Sequence, residues 1–290
     1  ASQFNFNSRI WEDTTVYANW KDLTEYKLTG NMLPEEGVTF LEGDDLTQIY
    51  QSAGGVKEKI GNGSVVLEFK DENGKIVSGT APRSNVTATL KEVVIGDNVS
   101  SISNSAFKGC TSLSKVTISD SVTSIGDYAF YYCKSLTSVT IPDSVTSIGD
   151  YAFEDCTSLS SVTIGNSVTS IGYRAFEDCT SLTSVKIGDS VTGIGGRAFE
   201  DCTSLTSVTI PDSVTRIGDR AFYDCTLLTS VTIGDGVTRI GDDAFRGCTL
   251  LTSVTFEGTV AQWNAIEKGF RWDYFTPFTE VVCSDAVAIE

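Results

Sequence analysis

The sequence predicts an α/β repeat fold. We expect a right-handed solenoid with a parallel β-sheet on one side, short helices or turns on the other, and a β-rich N-terminal cap. A 23-residue unit recurs in tandem, and each unit contains apolar residues at the two-residue period of a strand. One unit has too few apolar residues to bury its own surface, so the units must stack and share a continuous core.

Cysteine marks the repeat most clearly. Seven of the eight cysteines stand 23 residues apart, and only Cys283 lies outside the series. Written from its leucine, the unit reads LxxVxIxxxVxxIGxxAFxxCxx. Seven copies run from Leu90 to Leu250, and an eighth strand, LTSVTF, follows at 251–256. The series comprises Cys110, Cys133, Cys156, Cys179, Cys202, Cys225 and Cys248.

The first half of each unit predicts two extended pieces. Val162 and Ile164 lie two residues apart on one face, as in a half-buried strand rich in β-branched residues. Val168 and Ile171 point inward in a second, shorter piece. The glycine that follows, Gly172 in this unit, is expected to permit a tight turn or a positive φ.

The second half of each unit predicts a short helix. In GDYAFEDC, Asp150 is the expected N-cap. Ala152, Phe153 and Cys156 have the spacing of one helical face. We therefore expect the cysteine to be buried in the core, where a free thiol packs as a small apolar group.

Disulfides and metal or redox chemistry are the alternatives for the cysteines. Stacked coils place successive Cα atoms about 5 Å apart, which a disulfide tolerates. However, side chains in a column point the same way, and seven cysteines cannot all pair. No CxxC clip typical of metal sites is present in the sequence. We expect no metal and no cofactor.

Composition excludes several functions. The net charge is −17, which argues against nucleic acid as a partner. The sequence has no histidine, so Ser/His/Asp or Cys/His nucleophiles and His-ligated metal sites are excluded. No apolar run approaches the roughly 20 residues that span a bilayer, so we expect no membrane insertion.

The repeated motifs resemble those of a known family of repeat proteins. The LxxVxI core, the IGxxAFxxC tail and the 23-residue period resemble the BspA-like leucine-rich repeat of bacterial surface proteins over residues 90–256. Residues 257–290 resemble the C-terminal cap that often follows such repeats, with Trp263, Ile266 and Trp272 as apolar anchors.

The N-terminal part is less regular. FNFNSRIWEDTTVYANW at 4–20 resembles the tail of an internalin-type B-repeat, so residues 1–20 are interpreted as the remnant of a small β module. Residues 21–89 are expected to cap the first coil, and a separate ligand-binding domain is the alternative. Within them, 63–79 predicts a β-hairpin around an Asn-Gly turn, and 45–55 predicts a short helix.

An acidic series follows the first strand of each unit. Its side chains are expected to satisfy backbone donors in the turn that leaves the strand. Calcium binding is the alternative, but one carboxylate per coil is few for an ion that takes six to eight oxygens. The series comprises Asp97, Asp120, Asp143, Asn166, Asp189, Asp212 and Asp235.

Candidate partner-binding residues lie where the units differ. The sheet face is nearly all Ser and Thr and offers no charged or aromatic anchors. The turn side carries tyrosines and arginines, which favour contact with a protein or a sugar; neutral variation of solvent-exposed positions is the alternative. Acidic pairs such as Glu154 and Asp155 are expected to alternate with arginines in a solvated lattice. The candidates are Tyr128, Tyr131, Tyr132, Tyr151, Arg174, Arg197 and Arg220.

The resemblance implies a non-catalytic, exported bacterial protein that presents an extended face for adhesion. Its expected partner is a protein or glycan of the host or of a neighbouring cell. It is expected at the cell surface, as a monomer, with its signal and anchor outside this chain. A structural spacer that holds other modules away from the cell wall is the alternative, and a carboxylate-dependent hydrolase is a remote one.

Overall fold

The computed structural model describes residues 16–18, 26–30, 56–61, 64–69, 92–95 and 99–289. Within these residues the chain forms short strands joined by turns, and a single helix follows the last repeat. The strands are β1 (Val16–Ala18), β2 (Tyr26–Gly30), β3 (Val56–Gly61), β4 (Ser64–Phe69), β5 (Glu92–Ile95), β6 (Ser101–Ile102), β7 (Lys115–Ile118), β8 (Ser124–Ile125), β9 (Ser138–Ile141), β10 (Ser147–Ile148), β11 (Ser161–Ile164), β12 (Ser170–Ile171), β13 (Ser184–Lys186), β14 (Gly193–Ile194), β15 (Ser207–Ile210), β16 (Arg216–Ile217), β17 (Ser230–Ile233), β18 (Arg239–Ile240), β19 (Ser253–Phe256), β20 (Glu267–Lys268), β21 (Glu280–Val282) and β22 (Val287–Ile289). The helix is α1 (Val260–Ala265).

The four N-terminal strands form one sheet in the order β1-β2-β3-β4. β4 covers the first half of the predicted hairpin, and it pairs antiparallel with the preceding strand β3. The second half of that hairpin, the helix expected at 45–55 and most of the segment 4–20 lie outside the described residues. The internalin-type resemblance therefore stays a prediction.

The repeats stack as a parallel solenoid, which confirms the predicted fold class. The two-residue strands from β6 to β20 form an eight-stranded parallel sheet. The longer strands form a second parallel ladder in three pieces, β5-β7, β9-β11-β13 and β15-β17-β19-β21. The register advances by 23 residues at each step within the repeats, for example from Val139 to Val162 and from Val162 to Val185.

The segment predicted as a short helix consists of turns instead. The Glu154 N–H donates to Tyr151 O within its own coil, at 3.3 Å. The Phe153 and Asp155 N–H groups donate to carbonyl oxygens of the next coil, at 2.7 and 2.9 Å. A helix would use successive N–H groups internally, which would leave the neighbouring coil's carbonyls unpaired. Asp150 is not an N-cap, because its Oδ1 accepts from the Tyr173 N–H of the next coil at 2.7 Å.

The repeated glycine is required for close approach and not for positive φ. Gly172 lies outside the left-handed region. A Cβ at this position would lie 2.4 Å from Gly149 O and 2.7 Å from Asp150 N. These are backbone atoms of the preceding coil, so a side chain at this position would push the coils apart.

The core is a column of stacked rings and thiols. The repeated phenylalanines from Phe107 to Phe245 stack at centroid distances of 5.0 to 5.3 Å. The seven cysteines of the repeat are free thiols and are buried, which confirms the burial predicted from the AFxxC spacing. The Cys156 thiol donates to Phe130 O of the preceding coil at 3.2 Å. Burial raises the pKa of Cys110 to about 12, and it also raises the pKa of Cys133, Cys156, Cys179, Cys202 and Cys225.

The C-terminal segment closes the stack. In a capping box at the start of α1, the Thr259 hydroxyl accepts from the Gln262 N–H, and the Gln262 side chain accepts from the Thr259 N–H. The predicted anchors Trp263, Ile266 and Trp272 are all buried. The Trp272 ring packs edge-on against Phe245, the last phenylalanine of the stacked column, with a centroid distance of 6.2 Å.

Gly172→Ala tests whether coil spacing depends on the missing side chain. We expect a loss of about 3 kcal/mol or more in the free energy of unfolding, because the added methyl meets backbone that cannot rotate away. Gly193→Ala is the matched control, since its Cβ would have nothing within 4 Å. Urea denaturation measures the free energy of unfolding of both variants. Equal stability of the two would contradict the close-approach explanation.

Cys156 tests the core role of the thiol column. We expect an aromatic disulfide reagent to label it slowly in the native protein and quickly in urea, because the thiol is buried and its pKa is raised. Cys156→Ala should cost about 1 kcal/mol or more, through a small cavity and the loss of the thiol's hydrogen bond to Phe130 O. Fast native labelling would show that the thiol is accessible.

Candidate functional site

Five of the seven candidate residues occupy one position of the repeat. We call this position, with its terminal members Ser105 and Asp243, the edge column. Each member has φ between 54° and 61°, in the left-handed region. This conformation turns its N–H toward the next coil; the Arg174 N–H, for example, donates to Gly196 O at 3.0 Å. The candidates in the edge column are Tyr128, Tyr151, Arg174, Arg197 and Arg220.

The structure brings the four predicted tyrosines together. The rings of Tyr128 and Tyr151 stack at a centroid distance of 4.5 Å. Tyr131 meets Tyr128 edge-on at 5.7 Å and lies 5.9 Å from Tyr132. Tyr173, which the sequence reasoning missed, extends the group because its ring lies 5.5 Å from Tyr151. We call these five residues the tyrosine cluster.

Cations flank the tyrosine cluster. Lys108 Nζ lies 4.6 Å from the centre of the Tyr128 ring, and Lys134 Nζ lies 4.0 Å from that of Tyr132. A hydrogen bond to Tyr132 raises the pKa of Lys134. Burial, together with the nearby Glu154 carboxylate, raises the pKa of Tyr131. The cluster therefore combines aromatic faces with positive charge on a strongly acidic protein.

Arginines of the edge column alternate with glutamates, as predicted, in the central coils. Arg174 lies 3.6 Å from Glu154 and 3.0 Å from Glu177. Arg197 lies 3.9 Å from Glu177 and 3.4 Å from Glu200. Both arginines bridge neighbouring coils in this way.

The expectation of a solvated lattice is wrong for the glutamates. Glu154, Glu177 and Glu200 are only 8%, 6% and 6% exposed. Each directly follows the buried phenylalanine, and an arginine from the edge column lies within ion-pair distance of each. Burial raises the pKa of all three carboxyl groups, to about 7 for Glu177, although Arg174 opposes the shift there.

The acidic series after the first strand binds backbone. Asp143 Oδ1 accepts from the Asn166 N–H at 2.6 Å, and Asp212 Oδ1 accepts from the Asp235 N–H at 3.2 Å. The predicted role in satisfying backbone donors is therefore confirmed at these positions, with the donor in the next coil. Asp97 lies outside the described residues.

The repeat matches a family model. Residues 84–206 and 169–267 match the BspA type leucine rich repeat region, in six copies. The chain belongs to the BspA-type leucine-rich repeat family. No helix among the described residues of this BspA-type chain is long and apolar enough to span a membrane.

Solved structures of bacterial leucine-rich repeat proteins are similar to this chain. One from Bacteroides ovatus is 25% identical with a TM-score of 0.55, over 79% of this chain and 75% of that one. The leucine-rich repeat protein of T. pallidum is 26% identical with a TM-score of 0.51, over 77% and 88%. A leucine-rich cell surface protein from Faecalibacterium prausnitzii is 29% identical with a TM-score of 0.46, over 62% of this chain; this chain spans 63% of its length. No curated protein matches the sequence.

Glu177→Gln tests the buried carboxylates of this BspA-type solenoid. The folded-state pKa of about 7 exceeds the ordinary value of 4.5. The folded protein therefore binds this proton more tightly, and the resulting stability is full below about pH 4 and lost as the pH rises through about 7. We expect the urea midpoint of the variant, relative to the unmodified protein, to rise between about pH 5 and about pH 8.

Glu267→Gln is the control for this titration. Its carboxylate is exposed and pairs with Arg239 at 2.8 Å. We expect this variant to follow the pH dependence of the unmodified protein. Parallel curves for Glu177→Gln and the unmodified protein would rule out a raised pKa at Glu177.

Proposed function

We propose that this chain is a non-catalytic, extracellular protein of the bacterial cell surface that binds a protein or glycan through its turn side. The observation that carries the proposal is the tyrosine cluster, whose aromatic and basic groups adjoin one another across successive coils. The surface location is proposed from the BspA-type family.

The backbone at the repeat position of Tyr132 does not require a large side chain. Tyr132 has φ of 63°, and Gly109 and Gly247 occupy the same position in other coils with φ of 77° and 79°. Left-handed backbone costs an L-residue about 1–2 kcal/mol that glycine avoids. Tyrosine at this position therefore works against the local backbone preference, which supports a role in contact over neutral variation.

The rings are available to a partner. Tyr132 and Tyr173 are 37% and 36% exposed. Neighbouring rings hold one another, so binding would immobilise few additional rotamers. Tyrosine and arginine are also the residues enriched among the strongest contributors to protein interfaces. Among the described residues, the Ser/Thr-rich face of the longer strands carries Lys115 and Lys186 but no aromatic ring.

A spacer is the second candidate, and the threonine columns favour it. In the column from Thr123 to Thr238, each threonine hydroxyl donates to the carbonyl 23 residues earlier; Thr169, for instance, bonds Thr146 O at 3.0 Å. The same bond recurs at Thr192 and Thr215, both at 3.0 Å. Hydroxyls committed to their own backbone stiffen the stack and leave little for a ligand. A spacer would keep the activity of the full-length protein after one 23-residue unit is deleted.

A solid-phase screen against extracellular-matrix proteins and glycans tests adhesion. For any ligand found, the triple variant Tyr131→Ala, Tyr132→Gly, Arg197→Asn should bind at least about tenfold more weakly, because it removes aromatic and charged anchors. Glycine and asparagine are chosen at 132 and 197 because both tolerate left-handed backbone.

Leu250→Ala is the matched control for this screen. It removes an exposed apolar side chain outside the tyrosine cluster, and we expect binding to be unchanged. Circular dichroism verifies that each variant is folded. The proposal fails if no ligand binds, or if binding survives the triple variant.

A further inference from the structure

A groove opens where a column of acidic side chains is interrupted. Asn104, Asp127 and Asp150 stand 23 residues apart, and each accepts the N–H of the next residue in the column. At the next two positions the column has Tyr173 and then Gly196, before it resumes at Asp219. The groove beside Gly196 has a volume of about 570 Å³, within the range of about 300–1,000 Å³ typical of small-molecule sites.

Four arginines line this groove. Arg239 pairs with Glu267 at 2.8 Å, Arg197 with Glu200 at 3.4 Å, and Arg220 lies 3.9 Å from Asp243. Arg216, on β16, is exposed and has no ion-pair partner among the described residues. An exposed guanidinium without an ion-pair partner is suited to a bidentate hydrogen bond with a carboxylate.

The other lining groups complement hydroxyls and an apolar face. Asp219 and Asp242 are exposed, and each uses Oδ1 to accept one backbone N–H. The second oxygen of each carboxylate remains as an acceptor for hydroxyl donors. The exposed ring of Tyr173 adds a flat apolar surface to the lining.

We propose that this groove binds an acidic saccharide, with Arg216 on the sugar carboxylate, Asp219 and Asp242 accepting from hydroxyls, and Tyr173 against the ring. This names a ligand class for the adhesive role proposed above and rests on it. Tyr131 and Tyr132 do not line the groove, whereas Arg197 of the triple variant does. The double variant Tyr131→Ala, Tyr132→Gly and the variants of Arg216 therefore test the two sites separately.

Other anionic ligands fit less well. Asp219, Asp242 and Asp243 would repel a phosphate group more strongly than a single sugar carboxylate, because a phosphate concentrates more than one negative charge on one group. An extended peptide binds best beside an unpaired strand. The strands that carry Arg216 and Arg239, β16 and β18, are already paired on both sides.

Calorimetry with short oligosaccharides tests the inference. The probe is a hyaluronan hexasaccharide, which carries glucuronate carboxylates, and chitohexaose is the neutral control of equal length. We expect the acidic probe to bind, the neutral one to bind at least about tenfold more weakly, and Arg216→Ala to weaken the acidic probe by at least about tenfold. Arg216→Lys should lose part of the affinity, because the charge stays and the planar fork is removed.

Two further variants separate the groove from net charge. Gly196→Asn introduces the residue type found at Asn104 in the same column, so the fold should tolerate it while its amide occupies the groove with no change of net charge; we expect binding to be lost. Lys186→Ala removes one positive charge from β13, which does not line the groove, and should leave affinity unchanged.

Several results would overturn the inference. These are no binding of the hexasaccharide at millimolar concentration, equal binding of the neutral probe, equal losses in Lys186→Ala and Arg216→Ala, or tighter Arg216-dependent binding of an acidic peptide. If the hexasaccharide does not bind while another ligand depends on Tyr131 and Tyr132, the saccharide inference fails and the adhesive function stands.

Discussion

Each coil must satisfy the backbone groups of both neighbours, and this requirement fixes the rest of the structure. On the short-strand side, N–H groups donate to the preceding coil, as from Thr169 to Thr146 O at 2.9 Å. On the turn side they donate to the following coil, as from Phe153 to Ala175 O at 2.7 Å. A longer coil is accommodated only where both sets stay in register, as in the C-terminal coil, where Glu267 pairs with Arg239 at a separation of 28 residues, the Glu267 N–H donates to Thr238 O and the Phe245 N–H donates to Trp272 O. The spacing of residues within a coil is therefore a condition on hydrogen bonding as well as on packing.

This bonding decides what each position can carry. The backbone is left-handed at two positions where the N–H turns to the next coil, the edge column and the position of Tyr132 and Asp155. Where two coils touch through backbone, only glycine fits, as at Gly172. At the position after the phenylalanine, Glu154, Glu177 and Glu200 are buried, so Glu177 is an acid inside the stack, held against arginines from two coils. Variation in surface chemistry is thus confined to a few positions of the unit.

The sequence predicts those structural features that depend on the spacing of apolar residues within one unit. The strands, the continuous core and the buried Cys156 all follow from apolar spacing. The turns do not, because Ala152, Phe153 and Cys156 fit a helical face as well as a turn that bonds to the next coil. The burial of Glu154 depends on Arg174, which belongs to the next coil. Tyr173 interrupts the column of acidic side chains that borders the groove. Both features are apparent only after the units are aligned in space. The groove at Gly196 arises from an absent side chain, which no motif records.

The direction of the inter-coil bonds has a mechanical consequence. They run along the axis of the solenoid, so tension applied along that axis pulls directly on the bonds of a terminal coil and detaches coils one after another. Each detached unit of 23 residues extends to roughly 80 Å. Detachment also separates one phenylalanine ring from the next and brings one thiol into solvent. A stretched molecule would lengthen in steps of one repeat, and the number of reactive cysteines would report how many repeats had opened.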